Sequence, residues 1–489
     1  MKINYRSIIF LIIPLVLSAF THLWNPVGFP DLFYDEGVYM YRTMHVLAGQ
    51  GPQIDVFHDH PYFGQLFLAG SLAVVGYPGS LHPTTDVHSI EMLYLVPRVL
   101  MGLLAIVDTF LIYKISERCY SKNVALLSSI LFAVMPITWF VRRILLDSIL
   151  LPFLLSSILF AIYTKDSQNK KFLVILSGIF LGITIFTKET MFTMIPLIAI
   201  LVYQNTKIPR MLGTWFLPVI LIPLIWPIQS VGINRFHKFV NDILFQVSRQ
   251  NNGFIILWRD FFIFDPVLMI FGLAGIIYAV MKRDILILLW ILPFLIFLAS
   301  VGYVQYFYWI PVLPVFCIAA AKFIIDKTRA TKESIRNKIP FVIIACLGIF
   351  GLIMSSYLIT ENVSSQYDAI AYVLQNVHNS NIPSYANDTT IISSPVYSWI
   401  FKYVFNMTDV LPDYRTLLFY PISTDKTLLI ADNHFKMNMN AGKPLQDAYN
   451  NTITIKRFKT DLLKKDFQYP FTNLIVNYDG QDIEIRESK

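Results

Sequence analysis

Residues 8–39 read IIFLIIPLVLSAFTHLWNPVGFPDLFYDEGVY, and this one stretch holds two signals. The apolar run over 8–24 is long enough to cross the core of a bilayer as a helix. An acidic pair, Asp35 and Glu36, follows after a short connector. Acids at a membrane boundary are costly to hold, so they are read first as functional groups. Lys2 and Arg6 precede the run, but it ends THLWNP with no small-x-small cleavage site, so it reads as a retained first helix.

The rest of the chain repeats the first signal. Further apolar segments lie at about 93–113, 124–140, 147–163, 172–187, 191–203, 212–230, 266–281, 284–301, 307–325 and 340–358. With the first run they make about eleven helices of a polytopic α-helical membrane protein. Composition agrees: 15% of the 489 residues are charged, against about 25% in soluble domains. The net charge of +7 does not mark a nucleic-acid binder, because the Lys and Arg residues sit mostly in short loops between apolar spans.

Sorting the loops alternately separates two faces. One set carries Lys114, Arg118 and Lys122, then Lys165, Lys170 and Lys171, then Lys207 and Arg210, Lys282 and Arg283, and the basic run 327–338. The positive-inside rule makes these loops, and the N-terminus, cytoplasmic. The other set holds the loop 25–92, the turns near 141–147, 188–190 and 302–306, the segment 231–265 and everything after 359. These are expected to be extracytoplasmic. The chain thus divides into a membrane domain, 1–359, and a small α/β domain, 360–489. Within the latter, TTIISSP, KTLLIAD, ITIKRF and NLIVNY read as strands and VYSWIFKYVF as a helix. Of the three cysteines, Cys119, Cys317 and Cys346, none lies in this domain, so no disulfide framework is available there. Its N-x-S/T sequons at Asn362, Asn387, Asn406 and Asn450 fit an extracytoplasmic location.

The outer loop 25–92 contains an amphipathic stretch, 36–49, and an apolar one, 62–77, too short to span, both expected to lie at the interface. Between them runs FHDHPYFG, with His58, Asp59 and His60. At the outer ends of helices stand Arg98, the Arg142–Arg143 pair with Asp147, and Lys188 with Glu189. Cations at that depth can clamp a phosphate, and a carboxylate beside them can act as general base on a hydroxyl. Each has a plainer reading. The acids could be solvated loop residues, Arg98 a helix anchor, and Arg143 with Asp147 an i,i+4 ion pair. A His-x-His pair without further ligands at metal spacing is more often a polar loop. What the plain readings leave unexplained is one depth and one side.

In order along residues 1–200, these elements resemble the GT-C superfamily of lipid-phosphate-sugar-dependent glycosyltransferases. The resemblance is to its protein O-mannosyltransferase-like branch, which includes aminoarabinose transferases. The features are Asp35-Glu36 in FYDEGVY, the run His60-Pro61-Tyr62-Phe63-Gly64-Gln65, Arg98 in VPRVLMGLLA, Arg143-Ile144-Leu145-Leu146-Asp147-Ser148, and GIFLGITIFTKE with Lys188. Tyr62 and Gln65 stand where the family has Pro and Lys, and 231–265 is far too short for a MIR domain. The resemblance implies a polyprenyl-phosphate-linked sugar donor, such as dolichyl-phosphate-mannose, a hydroxyl acceptor on protein, lipid or glycan, and inversion at the sugar. It implies Asp35 as general base with Glu36 assisting. Arg98, Arg143 and Lys188 would touch the donor phosphate, with Arg249 or Arg259 as second choices. His60 would support the site, and Asp147 would hold Arg143. No metal or other cofactor is required, although Asp35 and Glu36 could bind a divalent ion. The expected home is an archaeal or bacterial plasma membrane. The reading from another class is a transporter or lipid-linked-sugar flippase. That needs ionisable groups at mid-depth, where Asp108 is the clearest candidate.

Overall fold

The computed structural model describes residues 5–52, 59–250, 253–329, 338–360, 365–378, 389–420, 426–460 and 481–489. The membrane domain is built from α1 (Tyr5–Leu23), α2 (Tyr34–Leu47), α3 (Phe63–Val74), α4 (Val87–Cys119), α5 (Lys122–Val134), α6 (Leu146–Tyr163), α7 (Lys170–Thr187) and α8 (Ile195–Thr206). It continues through α9 (Pro209–Leu221), α10 (Ile225–Gly232), α11 (Phe236–Ser248), α12 (Gly253–Phe264), α13 (Pro266–Lys282), α14 (Ile285–Ser300), α15 (Leu313–Arg329) and α16 (Ile339–Ile359). Short side chains start several of these helices. Asp86 accepts from the Ser89 N–H at 2.9 Å, and Asp265 accepts from that of Leu268 at 2.8 Å, each satisfying a donor that the first turn leaves open.

The apolar segments lie largely in helices, but they are not eleven straight spans. Among the described residues, six helices are individually long and apolar enough to cross a bilayer, or eight if each of two bent pairs is one span. The expected span 124–140 bends by 69° between Lys122–Val134 and Pro136–Arg142. A proline at 136 disfavours helical backbone at Met135, which is extended at φ −70°, ψ 140°. Gly253–Phe264 meets Pro266–Lys282 at 119°. Ile12, Val16, Leu217, Ile228, Ile277, Ile296 and Ile353 point outward from the bundle, as lipid-facing side chains must in an integral multi-pass membrane protein. On α7, Gly178 and Gly182 bring the backbone of α9 close: a Cβ on either would meet the Trp215 or Pro218 carbonyl oxygen at 2.5 or 2.6 Å.

The C-terminal domain carries β1 (Thr389–Ile392), β2 (Lys426–Ala431), β3 (Thr452–Thr460) and β4 (Gln481–Ser488) in the order β1-β2-β4-β3. The first pair is parallel and the other two antiparallel. Three of the expected strands and the helix are present, the helix as Pro395–Trp399 prolonged through Ile400–Val404. NLIVNY and the sequons at Asn362 and Asn387 lie outside the described residues, as does His58. Strand β4, QDIEIRES, alternates apolar and polar residues and adds a strand to those expected from the sequence. The domain does not keep a separate core. Tyr367, Ile391, Val396 and Trp399 pack in one cluster with Met40 of α2 and Leu93, Tyr94 and Met101 of α4.

Candidate active site

The acidic pair sits at the start of α2, and its two members have opposite fates. Successive helical residues point about 100° apart, so Asp35 and Glu36 cannot face the same partners. Glu36 turns inward and is fully buried. Its carboxylate accepts five hydrogen bonds: Oε1 from Arg98 Nε at 3.1 Å and Ile144 N at 3.1 Å, and Oε2 from Phe33 N at 3.0 Å, Arg98 Nη2 at 2.8 Å and Arg143 Nη1 at 3.0 Å. Burial opposes its charge, but the two guanidinium groups outweigh burial and hold its pKa below the ordinary glutamate value.

Arg98 is committed just as completely. Its remaining three N–H groups go to the carbonyl oxygens of Pro26 at 2.9 Å, Pro30 at 2.6 Å and Asp31 at 2.9 Å. All five donors of the guanidinium are thus spent on the segment 26–36. Arg143 donates to the Asp31 carbonyl at 2.6 Å and to the Asp31 carboxylate at 2.7 Å, and lies 5.0 Å from the ring centres of Phe33 and Trp139. Arg142 binds the carbonyl oxygens of Thr21, at 2.9 Å, and of Trp24 and Asn25, closing the C-terminal end of α1.

Asp35 is half-buried, and its carboxylate accepts no hydrogen bond among the described residues. Burial raises its pKa from 3.8 to about 6, helped by the Asp59 carboxylate and opposed by His60, Lys188 and Arg249, which name the groups around it. Asp59 is itself held by Arg42 at 2.6 Å and has a lowered pKa: burial opposes its charge, and Arg42 with His60 outweighs burial. His60 reaches Glu189 at 3.2 Å; burial opposes its protonation, and Glu189 with Asp59 raises its pKa nonetheless. The result is an acid poised to take a proton near neutral pH, with cations within its field.

Lys188 is buried, and its ammonium donates to both oxygens of Asp147, at 2.9 and 2.8 Å. It lies 3.9 Å from the ring centre of Tyr308. Asp147 therefore holds Lys188 and not Arg143, against the expectation from spacing. An i,i+4 pair needs both residues on a helix. Arg143 has extended backbone, φ −76°, ψ 148°, and α6 begins only at Leu146, so the two side chains diverge. Arg249, after α11, is half-buried and stacks at 3.7 Å on the ring of Tyr303. Arg259 is exposed and pairs with Asp260 at 2.9 Å.

Residues 88–226 match the family model described as dolichyl-phosphate-mannose-protein mannosyltransferase. No relative with a curated description matches the sequence. Among solved structures, the oligosaccharyltransferase of Archaeoglobus fulgidus aligns over 96% of this chain and 75% of its own length, with TM-score 0.59 at 12% identity. ArnT from Cupriavidus metallidurans, bound to undecaprenyl phosphate, aligns over 98% and 97%, with TM-score 0.59 at 10% identity. The chain thus shares its fold with these two membrane proteins.

The resemblance seen in the sequence therefore agrees with the fold, and within it the site residues sort into two groups. Asp35, His60, Asp147 and Lys188 come together in one electrostatic neighbourhood, joined by Asp59, Glu189, Arg249 and Tyr308. Glu36, Arg98 and Arg143 form a hydrogen-bonded network with the segment 26–36; Arg98 has no N–H left for a phosphate, whereas the Arg143 Nε has no hydrogen-bond partner among the described residues. With Glu36 accepting five bonds, the acidic pair does not present two free carboxylates to an ion. Among the described residues, no group of three or more His, Cys, Asp or Glu converges as a metal site. Asp31, Arg42 and Tyr308 join the site without having stood out in the sequence. A single acid, a single arginine and one tyrosine among many carry no mark of pairing across the chain.

Proposed function

We propose that this chain is a GT-C glycosyltransferase and transfers a sugar from a polyprenyl phosphate to a hydroxyl group at the extracytoplasmic face, with Asp35 as general base. The observation that carries this reading is Asp35 itself: a half-buried carboxylate with no hydrogen bond among the described residues, with a pKa raised to about 6, in the field of Lys188 and Arg249. Asp35 takes the acceptor O–H proton. The acceptor oxygen attacks the anomeric carbon, the carbon–oxygen bond to phosphate breaks on the opposite side, and its electron pair leaves on the polyprenyl phosphate. Configuration inverts. Lys188 and Arg249 stabilise the charge that grows on the leaving phosphate. Two protons of the Lys188 ammonium are engaged by Asp147, which leaves the third for an anion.

Two structural neighbours support the donor class. The Archaeoglobus fulgidus AglB was solved with an inhibitory peptide and a dolichol-phosphate, and the Cupriavidus ArnT with undecaprenyl phosphate. The sugar, with mannose as the first candidate, and the acceptor are to be found by assay. Purified protein in lipid nanodiscs, labelled polyprenyl-phosphate sugars and a panel of hydroxyl acceptors should give transfer that Asp35→Asn abolishes. Donor binding without transfer to any acceptor, together with movement of the lipid between leaflets, would instead establish a flippase.

A further inference from the structure

The C-terminal domain grips the segment that carries Asp35 at three points. The Gln366 side-chain amide pairs with the Leu32 backbone, accepting from its N–H at 2.7 Å and donating to its carbonyl at 3.0 Å. Tyr34, the residue just before Asp35, places its hydroxyl between Asp413, to which it donates, and Arg415, from which it accepts. Arg415 and Asp413 are themselves paired at 2.9 Å. The His434 ring lies flat on the Tyr34 ring, with centres 4.1 Å apart and planes 20° apart, and the Arg415 guanidinium lies 4.4 Å from the Tyr34 ring centre. One turn on, Gly37 touches the backbone of the helix Pro395–Trp399 so closely that a Cβ there would stand 2.2 Å from Val396 N.

The membrane domain grips the same segment from the other side, through Arg98 and Arg143 on Asp31 and Glu36. Of the residues from Asp31 to Gly37, Asp35 is thus the polar side chain that neither domain holds. We infer that Tyr34, Asp413, Arg415 and His434 form a clamp by which the C-terminal domain positions the base. This rests on the proposed role of Asp35. The domain is then part of the catalytic apparatus, and the clamp residues act through Asp35 without touching the substrate. A clamp of this kind fixes both the reach of the carboxylate and its shielding from water, the two quantities to which rate and pKa respond.

The test uses Tyr34→Phe, which keeps the stacked ring and removes the hydroxyl, and Arg415→Gln, at an exposed position. Full-length protein in nanodiscs is assayed for kcat, donor KM, the acid limb of the pH profile and apparent Tm. Asp59, His60, Lys188 and Arg249, the charged groups facing Asp35, are untouched in both variants. The expected result is a kcat lower by on the order of tenfold with donor KM within about twofold, and an acid limb moved to lower pH as water reaches Asp35. Unchanged kcat and acid limb per folded molecule, whether or not Tm falls, would overturn the clamp. Should Tyr34→Phe not fold, Arg415→Gln decides alone. Asp35→Asn in parallel keeps the two ideas apart: an inactive Asp35→Asn beside fully active clamp variants removes the clamp and keeps the base, and an active Asp35→Asn removes the base.

Discussion

Replacing Asp35 with Asn should abolish transfer and make the protein more stable, a combination that a structural acid cannot produce. The folded-state pKa is raised from 3.8 to about 6, chiefly by burial. A group raised in this way favours the fold while protonated, and that contribution is lost as pH rises through about 6. Above that pH the ionised carboxylate therefore costs stability, by at most roughly 3 kcal/mol at ~1.4 kcal/mol per tenfold change in affinity for the proton. Water reaches part of the side chain, so a working value is ~1–2 kcal/mol. Asn keeps the shape and removes the charge, and the apparent Tm of the variant at about pH 7.5 should rise by roughly 1–2 °C, the shift expected for that energy in a chain of this length. At about pH 5 the gain should shrink, because the wild-type carboxyl is then mostly protonated. The same ionisation sets activity: wild-type kcat/KM should fall about tenfold per pH unit below about 6 and level off above it. Thermal unfolding by intrinsic fluorescence in nanodiscs, with transfer measured on the same preparations, reads both quantities. A variant that is inactive and less stable near neutral pH would make Asp35 a structural residue and refute the reasoning, as would transfer near the wild-type rate.

Glu36→Gln should behave in the opposite way, lowering stability by about 3–5 kcal/mol, because it leaves Arg98 and Arg143 buried without their shared anion; loss of folded protein during purification is the readout. Lys188→Ala and Arg249→Ala should each lower kcat by ~10²–10³ if they stabilise the leaving phosphate, whereas Arg259→Ala should leave transfer within about twofold, as an exposed pair does; steady-state kinetics with varied donor separates them. Gly37→Ala should displace α2 from the Pro395–Trp399 helix, since Val396 N stands 2.2 Å from the new methyl; easier proteolysis of the C-terminal domain checks it. Transfer should persist in excess chelator, and its loss with recovery on adding a divalent ion would bring a metal into the site.

Much of this was legible in the chain itself because it follows from one-dimensional physics. Apolar runs of spanning length, Pro within them and Lys–Arg loops between them mark a multi-pass helical bundle without any knowledge of packing. The acids and bases at helix ends could be picked out because charge is scarce in such a sequence. Their pairing could not. Arg143 and Asp147 are four residues apart and invite an ion pair, but the backbone is extended at Arg143, and Asp147 turns to Lys188 instead. Arg98 reads as a loose cation until its five bonds to the segment 26–36 are seen.

By itself, then, the sequence determined that the chain is a multi-pass helical membrane protein and which loop carries the acid pair, since hydropathy and charge spacing are local properties, but not the number of straight spans. Tertiary structure alone decided which member of that pair is free. The helical step between positions 35 and 36 sends one carboxylate into two guanidinium groups and the other toward Asp59, His60 and Lys188. Which partners wait on each side depends on contacts made by residues tens to hundreds of positions away.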